Sequence, residues 1–532
     1  MKKLYSLAIM VSVHVIANSQ TNFQRLYSGS AITSFSQTIQ TSDGGYITCG
    51  SVGAASTDYL VSKLDASGQI QWAKHIGSWM GNENALKIGE SVTGGYYLLG
   101  ITTSQSSSGE LNLISLDISG NVLWNKIYGN DATSSFFSAS CRQTNSGEFI
   151  ISATLLNGTG DYYFLIKTDT SGNKIWSEAY SYDTSGSKQE CVDVECCSDG
   201  GFISIGTAND NGIYAIKTNA SGNLLWEKQY STPTCTIYAS TICKTSDGCY
   251  LISGVAYDSL YSQSVIFTKI DASGNFLWAK KYISSTRSFY LYIYNNSNNV
   301  IQTPDGGFAI LVSSLASGGS STTDPELIKT DSSGNSQWAK YYTLSGTYGQ
   351  GANSVKNTSD GGFINTANTT DSMYTNQRGY LIKTNSTGST GCNEGDDSLY
   401  DVSITLTTAS VGSQFAAGIS GTISFISESV PFNASSNCST DVGVFDPTET
   451  NTDVSIYPNP FSSSANLLIN TNNYSPEEYH FELYDMLGKK VKENLFSGQQ
   501  LEINRENIPA GIYIWKVYQK NNIVGKGKVV IE

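Results

Sequence analysis

Five aspartates recur at one place in a repeated motif: Asp65, Asp117, Asp169, Asp271 and Asp331. A carboxylate is the first side chain to suspect of acid–base or metal chemistry. Two further copies of the motif place Asn219 and Asn385 at that position. An amide still accepts the hydrogen bond that starts a turn, but it neither takes up a proton nor brings charge to a metal. The aspartates are therefore predicted to cap turns. Histidine narrows the field further. Of three in the chain, His14 lies in an amino-terminal leader, His75 on a repeated strand and His480 near the carboxyl end. None sits beside a nucleophile motif of the kind a Ser-His-Asp or Cys-His hydrolase needs. The ten cysteines show no paired C-x-x-C spacing that would suggest zinc. No metal or cofactor site and no catalytic residue is assigned. Paired carboxylates leave no signature in sequence. A carbohydrate-active enzyme, a glycosidase or lyase, with two or more Asp/Glu meeting at one mouth of the fold, is therefore the competing expectation.

The motif that holds these aspartates is half of a unit about fifty residues long, present in seven copies. The first half is a Ser/Asp-Gly-Gly-aromatic turn such as Ser42-Asp43-Gly44-Gly45-Tyr46. The second is Lys-x-Asp-x-Ser-Gly-Asn-x-x-Trp-x-Lys, complete at Lys269 to Lys280 and Lys329 to Lys340. Two turn signals with Ile/Val/Leu/Tyr/Phe runs between them read as paired hairpins. In the first copy the strands are expected at Phe35–Gln40, Gly45–Ser51, Tyr59–Leu64 and Gln69–Gly77. Four antiparallel strands per unit describe a β-propeller blade, with a β-solenoid the rival.

The fourth strand carries Trp, a cation two residues on and an aromatic two further, as in Trp226/Lys228/Tyr230 and Trp278/Lys280/Tyr282. Residues spaced by two share one face, so each set is expected to pack against the next blade, the cation stems lying over the rings. The seventh copy lacks this strand, and Phe23/Arg25/Tyr27 near the amino terminus supply the missing pattern. The expectation is an all-β chain with a seven-bladed propeller closed by its N-terminal strand, which removes exposed edges. The second half-motif differs from the Asp-box of sialidase-type propellers. It is similar to the tryptophan motif of quinoprotein dehydrogenases, one residue shorter, without accompanying cofactor ligands.

The formal charge of −14 over 532 residues excludes nucleic acid as a natural partner, because no basic patch is available to displace its counterions. Met1-Lys2-Lys3, an apolar stretch and Ala17-Asn18-Ser19 read as a signal peptide over residues 1–19. No later run is apolar enough to span a bilayer as a helix. In an exported chain disulfides are permitted, and Cys392 and Cys438 are the first pair to consider, since they bracket a Ser/Thr-rich segment after the last repeat. That segment, residues 389–450, is expected to be a loosely structured connector with at most one pinned hairpin. The repeats occupy 20–388.

From residue 451 the pattern changes to a compact β-sandwich. Tyr457-Pro458-Asn459-Pro460, then Leu483-Tyr484-Asp485 with Gly488-Lys489, then Pro509-Ala510-Gly511-Ile512-Tyr513 occur in that order. Residues 453–532 thereby resemble the type A C-terminal sorting domain of the type IX secretion system. The resemblance implies handling by that machinery and a secreted or outer-membrane surface-attached protein. The function expected is a non-catalytic module that binds a glycan or a surface protein, an architectural surface role being a further alternative. Its ligand loop is expected where the repeat is most disturbed, around Tyr290, Tyr292 and Tyr294.

Overall fold

A computed structural model describes the chain except for residues 1–21, 29–31, 54–55, 78–80, 104–108, 130–134, 157–159, 182–188, 209–211, 260–261, 291–299, 317–321, 345–347, 371–376, 411–413, 417–425, 430–432, 440–452, 458, 471–477, 486–488, 520–521 and 532. Every element in the described residues is a strand, and the chain divides into two compact units, Met1–Asp441 and Val442–Glu532.

In the first unit each repeat forms one antiparallel sheet. Sheet 1 contains Thr33–Gln40, Tyr46–Gly53, Thr57–Leu64 and Ile70–Gly77, within two residues of the sequence expectation at nearly every boundary. Sheets 2 to 6 repeat this order from Glu83, Ser135, Gln189, Thr236 and Arg287. Sheet 7 has only Tyr348–Asn357, Phe363–Thr370 and Arg378–Thr384 from its own repeat. Its fourth strand is Phe23–Ser28, antiparallel to Arg378–Thr384 with Arg25 opposite Leu381. The pairing expected of the amino-terminal strand is present.

Both turn motifs work through side-chain oxygens. In the first, Asp43 accepts from Thr41 Oγ1 (2.6 Å) and Gly45 N (3.0 Å), while Gly44 takes a φ of 83° that favours glycine. In the second, Asp65 Oδ1 accepts from Ser67 N and Gln69 N, both at 2.9 Å. Asn219 and Asn385 make the same pair of bonds, Asn219 to Ser221 N and Asn223 N at 2.9 and 3.0 Å. The lysine of the second motif also has a task. Lys63 reaches back to Asp43 of the first turn at 2.8 Å, and Lys217–Asp199, Lys269–Asp247, Lys329–Asp305 and Lys383–Asp360 repeat the pair at 2.6 to 2.8 Å. Sheet 2 has lost both partners together, with Thr93 and Ser115 in the two positions.

One contact recurs from sheet to sheet. The second-turn glycine lies against the Trp ring of the preceding sheet, so closely that a Cβ on Gly120, Gly172, Gly222, Gly274, Gly334 or Gly388 would come within 2.5 to 3.0 Å of Trp72, Trp124, Trp176, Trp226, Trp278 or Trp338. Four residues beyond every one of these Trp residues except Trp72, which has Ile76, a Tyr donates its hydroxyl to that glycine's carbonyl, as Tyr128 to Gly172 at 2.6 Å, Tyr230 to Gly274 at 2.6 Å and Tyr342 to Gly388 at 2.7 Å. Phe23 packs on Gly68 in the same way, and Tyr27 Oη donates to Gly68 O at 2.7 Å. The contact therefore also joins sheet 7 to sheet 1. The charged ends of the cations on these strands find partners beyond the ring. The ammonium of Lys228 lies 5.6 Å from its own strand's Trp ring. Lys74 and Lys228 reach the asparagine of the neighbouring second turn, at 2.5 and 3.1 Å.

The connector differs most from its prediction. Its described strands are all paired, and none pairs with another as a hairpin. Six short strands add to the outer edges of the repeat sheets, each antiparallel to the strand it covers. Glu394–Asp397 joins sheet 6, Leu399–Ile404 sheet 5, Thr407–Ser410 sheet 4 and Gln414–Ala416 sheet 3. Ile426–Ser429 then joins sheet 1, and Asn433–Ser439 joins Phe23–Ser28 of sheet 7. A fourth strand left bare would present unpaired N–H and C=O groups, and the belt satisfies them. Among its described side chains Leu406 is buried in the core, and Leu399 and Ile404 pack against it.

The second unit packs a three-stranded sheet (Asp453–Tyr457, Ser464–Asn470, Gln500–Asn504) and a four-stranded sheet (Tyr479–Tyr484, Lys490–Phe496, Gly511–Gln519, Asn522–Ile531) around Phe481, Leu467, Trp515 and Val517. This is the small sandwich expected.

Candidate functional site

The inner strand of each sheet ends at a residue whose carbonyl accepts from the first-turn glycine: Thr41, Ser91, Thr144, Cys197, Thr245, Thr303 and Thr358. Counting back from these anchors aligns the seven inner strands. Positions two and four residues earlier share one face of the strand. At position two stand Ile39, Gly89, Arg142, Glu195, Cys243, Ile301 and Lys356; at position four stand Gln37, Lys87, Ser140, Asp193, Thr241 and Ser354. Everything charged in these rows belongs to one repeat and to no other.

These charges meet. Arg142 of sheet 3 pairs with Asp193 at 3.2 Å and Glu195 at 3.3 Å, both of sheet 4. Asp193, 1% exposed, also accepts from Ser140 Oγ at 2.5 Å and, from sheet 5, Thr241 Oγ1 at 2.7 Å and Ile242 N at 3.1 Å. One carboxylate thus ties three sheets together. Burial pushes its pKa upward, but Arg142 and Lys87, with the Ser140 and Thr241 hydroxyls, overcome that and hold it at about 2. Lys87 of sheet 2 is 3% exposed; burial drives its ammonium down to about 7, with Asp193 opposing and Arg142 and Lys356 adding to the fall. Lys356 of sheet 7 is brought to about 8 by burial and then by Arg142, against the pull of Asp193 and Glu195. Sheets 2, 3, 4 and 7 therefore bring charges close enough to control one another's ionisation. Three cations face two carboxylates. The neighbouring thiols of Cys141 and Cys243 are lifted to about 12 by burial, so neither is a thiolate at neutral pH.

Asp193 and Glu195 lie on one strand, Gln189–Cys196, and share one guanidinium. The repeated aspartates are turn caps, as their bonds above demonstrate. Of the tyrosines expected to form a ligand loop, Tyr290 ends the strand Arg287–Tyr290, opposite Ser313, while Tyr292 and Tyr294 lie outside the described residues. Cys392 and Cys438 both come to Gln24: its Nε2 donates to Cys392 O at 2.6 Å, and Cys438 is its cross-strand partner.

A second polar cluster lies where the belt meets sheet 6. Arg287 binds Asp324 at 2.6 Å and Ser314 Oγ at 2.7 Å and stacks 4.1 Å over Tyr341. Beside it Glu326 is fully buried; burial, eased by Ser314 and reinforced by Asp397 of the belt, raises its carboxyl to about 8. Among the described residues, His480, Glu482 and Glu493 are the group whose donor atoms lie close enough to hold a metal. Lys490 Nζ already binds both of those carboxylates.

The sorting-motif residues do structural work. Asn459 Oδ1 accepts from Val530 N at 2.8 Å, Leu483 is core, and Asp485 Oδ1 caps the turn at Lys489 N, 2.9 Å away. Tyr513 Oη donates to Pro509 O at 2.8 Å beside Gly511. Tyr484 Oη bonds Glu482 at 2.5 Å, and Tyr457 and Pro460 are exposed. Pro458 and Gly488 lie outside the described residues.

A family model described as a secretion system C-terminal sorting domain matches residues 455–532. This domain marks the chain for export, to the medium or to the outer-membrane surface. No helix among the described residues is long and apolar enough to cross a membrane. No curated protein matches the chain. Solved structures with some similarity include a protein of unknown function from Dyadobacter fermentans, 12% identical, covering 52% of this chain and 84% of its own, with a TM-score of 0.36. The extracellular domain of a putative hybrid two-component system from B. thetaiotaomicron is 10% identical over 94% of this chain and 80% of its own, with a TM-score of 0.22. Dimeric latent PorU from Porphyromonas gingivalis is 11% identical, over 85% of this chain and 34% of its own, at 0.14.

Proposed function

We propose that the seven sheets are the blades of a closed propeller, exported by the type IX machinery, whose centre binds a cell-surface glycan bearing carboxylate groups and does not transform it. Closure is supported by the strand pairing of Phe23–Ser28 with Arg378–Thr384 and by the Tyr27 to Gly68 bond, which repeats the contact found between the other sheets. The observation that carries the binding reading is the meeting of Lys87, Arg142, Asp193, Glu195 and Lys356 from four inner strands. Residues that recur in every repeat already have structural tasks; those that occur once and converge are free for recognition. A ligand carboxylate would bring a second partner to Lys356 and Lys87, whose charged forms burial now penalises.

The competing reading, hydrolysis or elimination by Asp193 and Glu195, has against it that Arg142 pairs with both and that Asp193 stays ionised far below neutrality. A purely architectural role would leave no soluble ligand. Calorimetric titration of the mature full chain with uronate-bearing and neutral oligosaccharides of equal length separates the three. Binding at least ~10-fold tighter for the acidic set, weakened ~10-fold or more by Lys356→Gln, is expected from one charge-assisted hydrogen bond. Equal affinity for both sets, chain cleavage of the sugar, or no binding at all would each refute it.

A further inference from the structure

The belt has two ends, and they meet. Its first strand begins just after Cys392 and its last contains Cys438. Between them the chain visits sheets 6, 5, 4, 3 and 1 in turn, and it finishes on the amino-terminal strand of sheet 7. That strand holds Gln24, fully buried. Gln24 Nε2 donates to Thr390 Oγ1 at 2.8 Å and to Cys392 O at 2.6 Å, fixing the start of the belt. On its other side Gln24 is the cross-strand partner of Cys438, with a bulge between Gln24 and Arg25. Residues forty-six apart in sequence thus arrive at one amino acid after the chain between them has paired with the outer edges of sheets 6, 5, 4, 3 and 1. The remaining eight cysteines are free thiols.

We propose that Cys392 and Cys438 form a disulfide that turns the belt into a covalent hoop around the repeat sheets, with the strand Phe23–Ser28 fastened inside it. The bond forms by thiol–disulfide exchange with a protein or small-molecule disulfide of the exported compartment. The thiolate of one cysteine attacks a sulfur of the donor, making a mixed disulfide and releasing one donor thiolate. The thiolate of the other cysteine then displaces the second donor thiolate as the Cys392–Cys438 bond closes. The chain loses two electrons and two protons; the donor disulfide is reduced to two thiols.

Two consequences distinguish a hoop from an ordinary local crosslink. The ends meet only when the belt has paired along the sheets, so oxidation reports a finished fold. The closed hoop also holds the amino-terminal strand, so that the element completing sheet 7 cannot leave without the belt opening. Stabilisation by a long closed loop acts chiefly by restricting the unfolded chain.

Peptide mapping of the oxidised, mature full chain without reductant tests the bond itself. A single linked peptide pair containing Cys392 and Cys438 is expected. Alkylation of either thiol, or linkage of either to another cysteine, would overturn the proposal. Thermal unfolding tests the hoop. Reductant is expected to lower the Tm of the wild type by ~5 °C. It should leave Cys392→Ser, Cys438→Ser and the double variant unmoved at one shared, lower Tm. Additive losses in the double variant would contradict a shared bond. A protease site placed between Ile404 and Thr407 and cut after oxidation should abolish the redox-dependent shift as fully as reduction does. A cut chain that keeps the full shift would show a local crosslink and no hoop.

Discussion

The outer and inner strands of the same sheet obey opposite rules. Outside, the sequence repeats: Trp, then Tyr, then a neighbour's glycine, with the Tyr27–Gly68 bond indistinguishable in kind from Tyr230–Gly274. Inside, the repeat is broken at the positions that converge, and Lys87, Arg142, Asp193, Glu195 and Lys356 each occur once. Repetition marks what every sheet needs in order to pack on the next. Divergence, on the binding proposed above, marks what recognition needs. The cost is visible in the charges. Third-strand lysines such as Lys269, though buried, find a half-exposed aspartate at 2.6 Å, whereas the buried Lys87 and the half-buried Lys356 are held at the expense of their own protonation.

The comparison breaks first if an outer contact proves dispensable. Tyr230→Ala removes a fully buried ring and its bond to Gly274 and should cost about 3–5 kcal/mol of stability without altering ligand affinity in the folded fraction. Denaturant melts and calorimetric titration check the two halves of that statement; a loss of affinity would place recognition on the rim. The inner cluster should behave the other way. Lys87→Met is expected to raise stability by about 1 kcal/mol or more at pH 7, since Arg142 still pairs with Asp193, and to weaken acidic-glycan binding. The pH dependence sharpens it. The folded pKa of Lys87 is depressed to about 7 from 10.5, so its contribution is lost as pH falls from 10.5 through 7, and the variant's advantage should disappear above pH 10.

A smaller effect tests the sheet 6 end of the belt. The Glu326 carboxyl is raised to about 8 from 4.5, so the stability linked to its neutral form is complete below pH 4.5 and lost as pH rises to 8. Glu326→Gln should flatten that fall in a series of Tm measurements. If the slope survives, another group carries it. The smallest effect expected follows the natural experiment in sheet 2. Lys269→Ser alone should destabilise, and adding Asp247→Thr should restore part of the loss, with a coupling of about 0.5–1 kcal/mol for a half-exposed pair. Strict additivity in a double-mutant cycle would mean that Thr93 and Ser115 changed independently.

Much of the outer architecture was legible because it is local. The hairpin turns announce themselves in Asp-Gly and Ser-Gly, and the substitution of Asn219 and Asn385 revealed the aspartates as turn caps. Phe23/Arg25/Tyr27 could be matched to sheet 7 because its own fourth strand was missing. The belt was not legible. Its strands are only three to seven residues long and mostly polar, as in Glu394–Asp397 and Asn433–Ser439, each stabilised by a partner far away in sequence, so local pattern described them as loose chain. Nor was the partner of Lys63, because a hairpin lies between it and Asp43. The central charges left a signal that alignment of the repeats on their first-turn glycines would have exposed: a lysine, arginine or carboxylate where the other copies carry Gln37, Thr241 or Ser354. Their meeting across sheets 2, 3, 4 and 7 is a property of the assembled sheets.

Hydrogen–deuterium exchange of the mature full chain, with and without a saturating uronate oligosaccharide, tests the proposed recognition by the Arg142–Asp193 cluster most directly. Protection is predicted on Ser135–Gln143, Gln189–Cys196 and Tyr348–Asn357, the strands of Arg142, Asp193 and Lys356, with the outer strands unchanged. Protection confined to the belt, the outer strands or residues 455–532 would contradict the account.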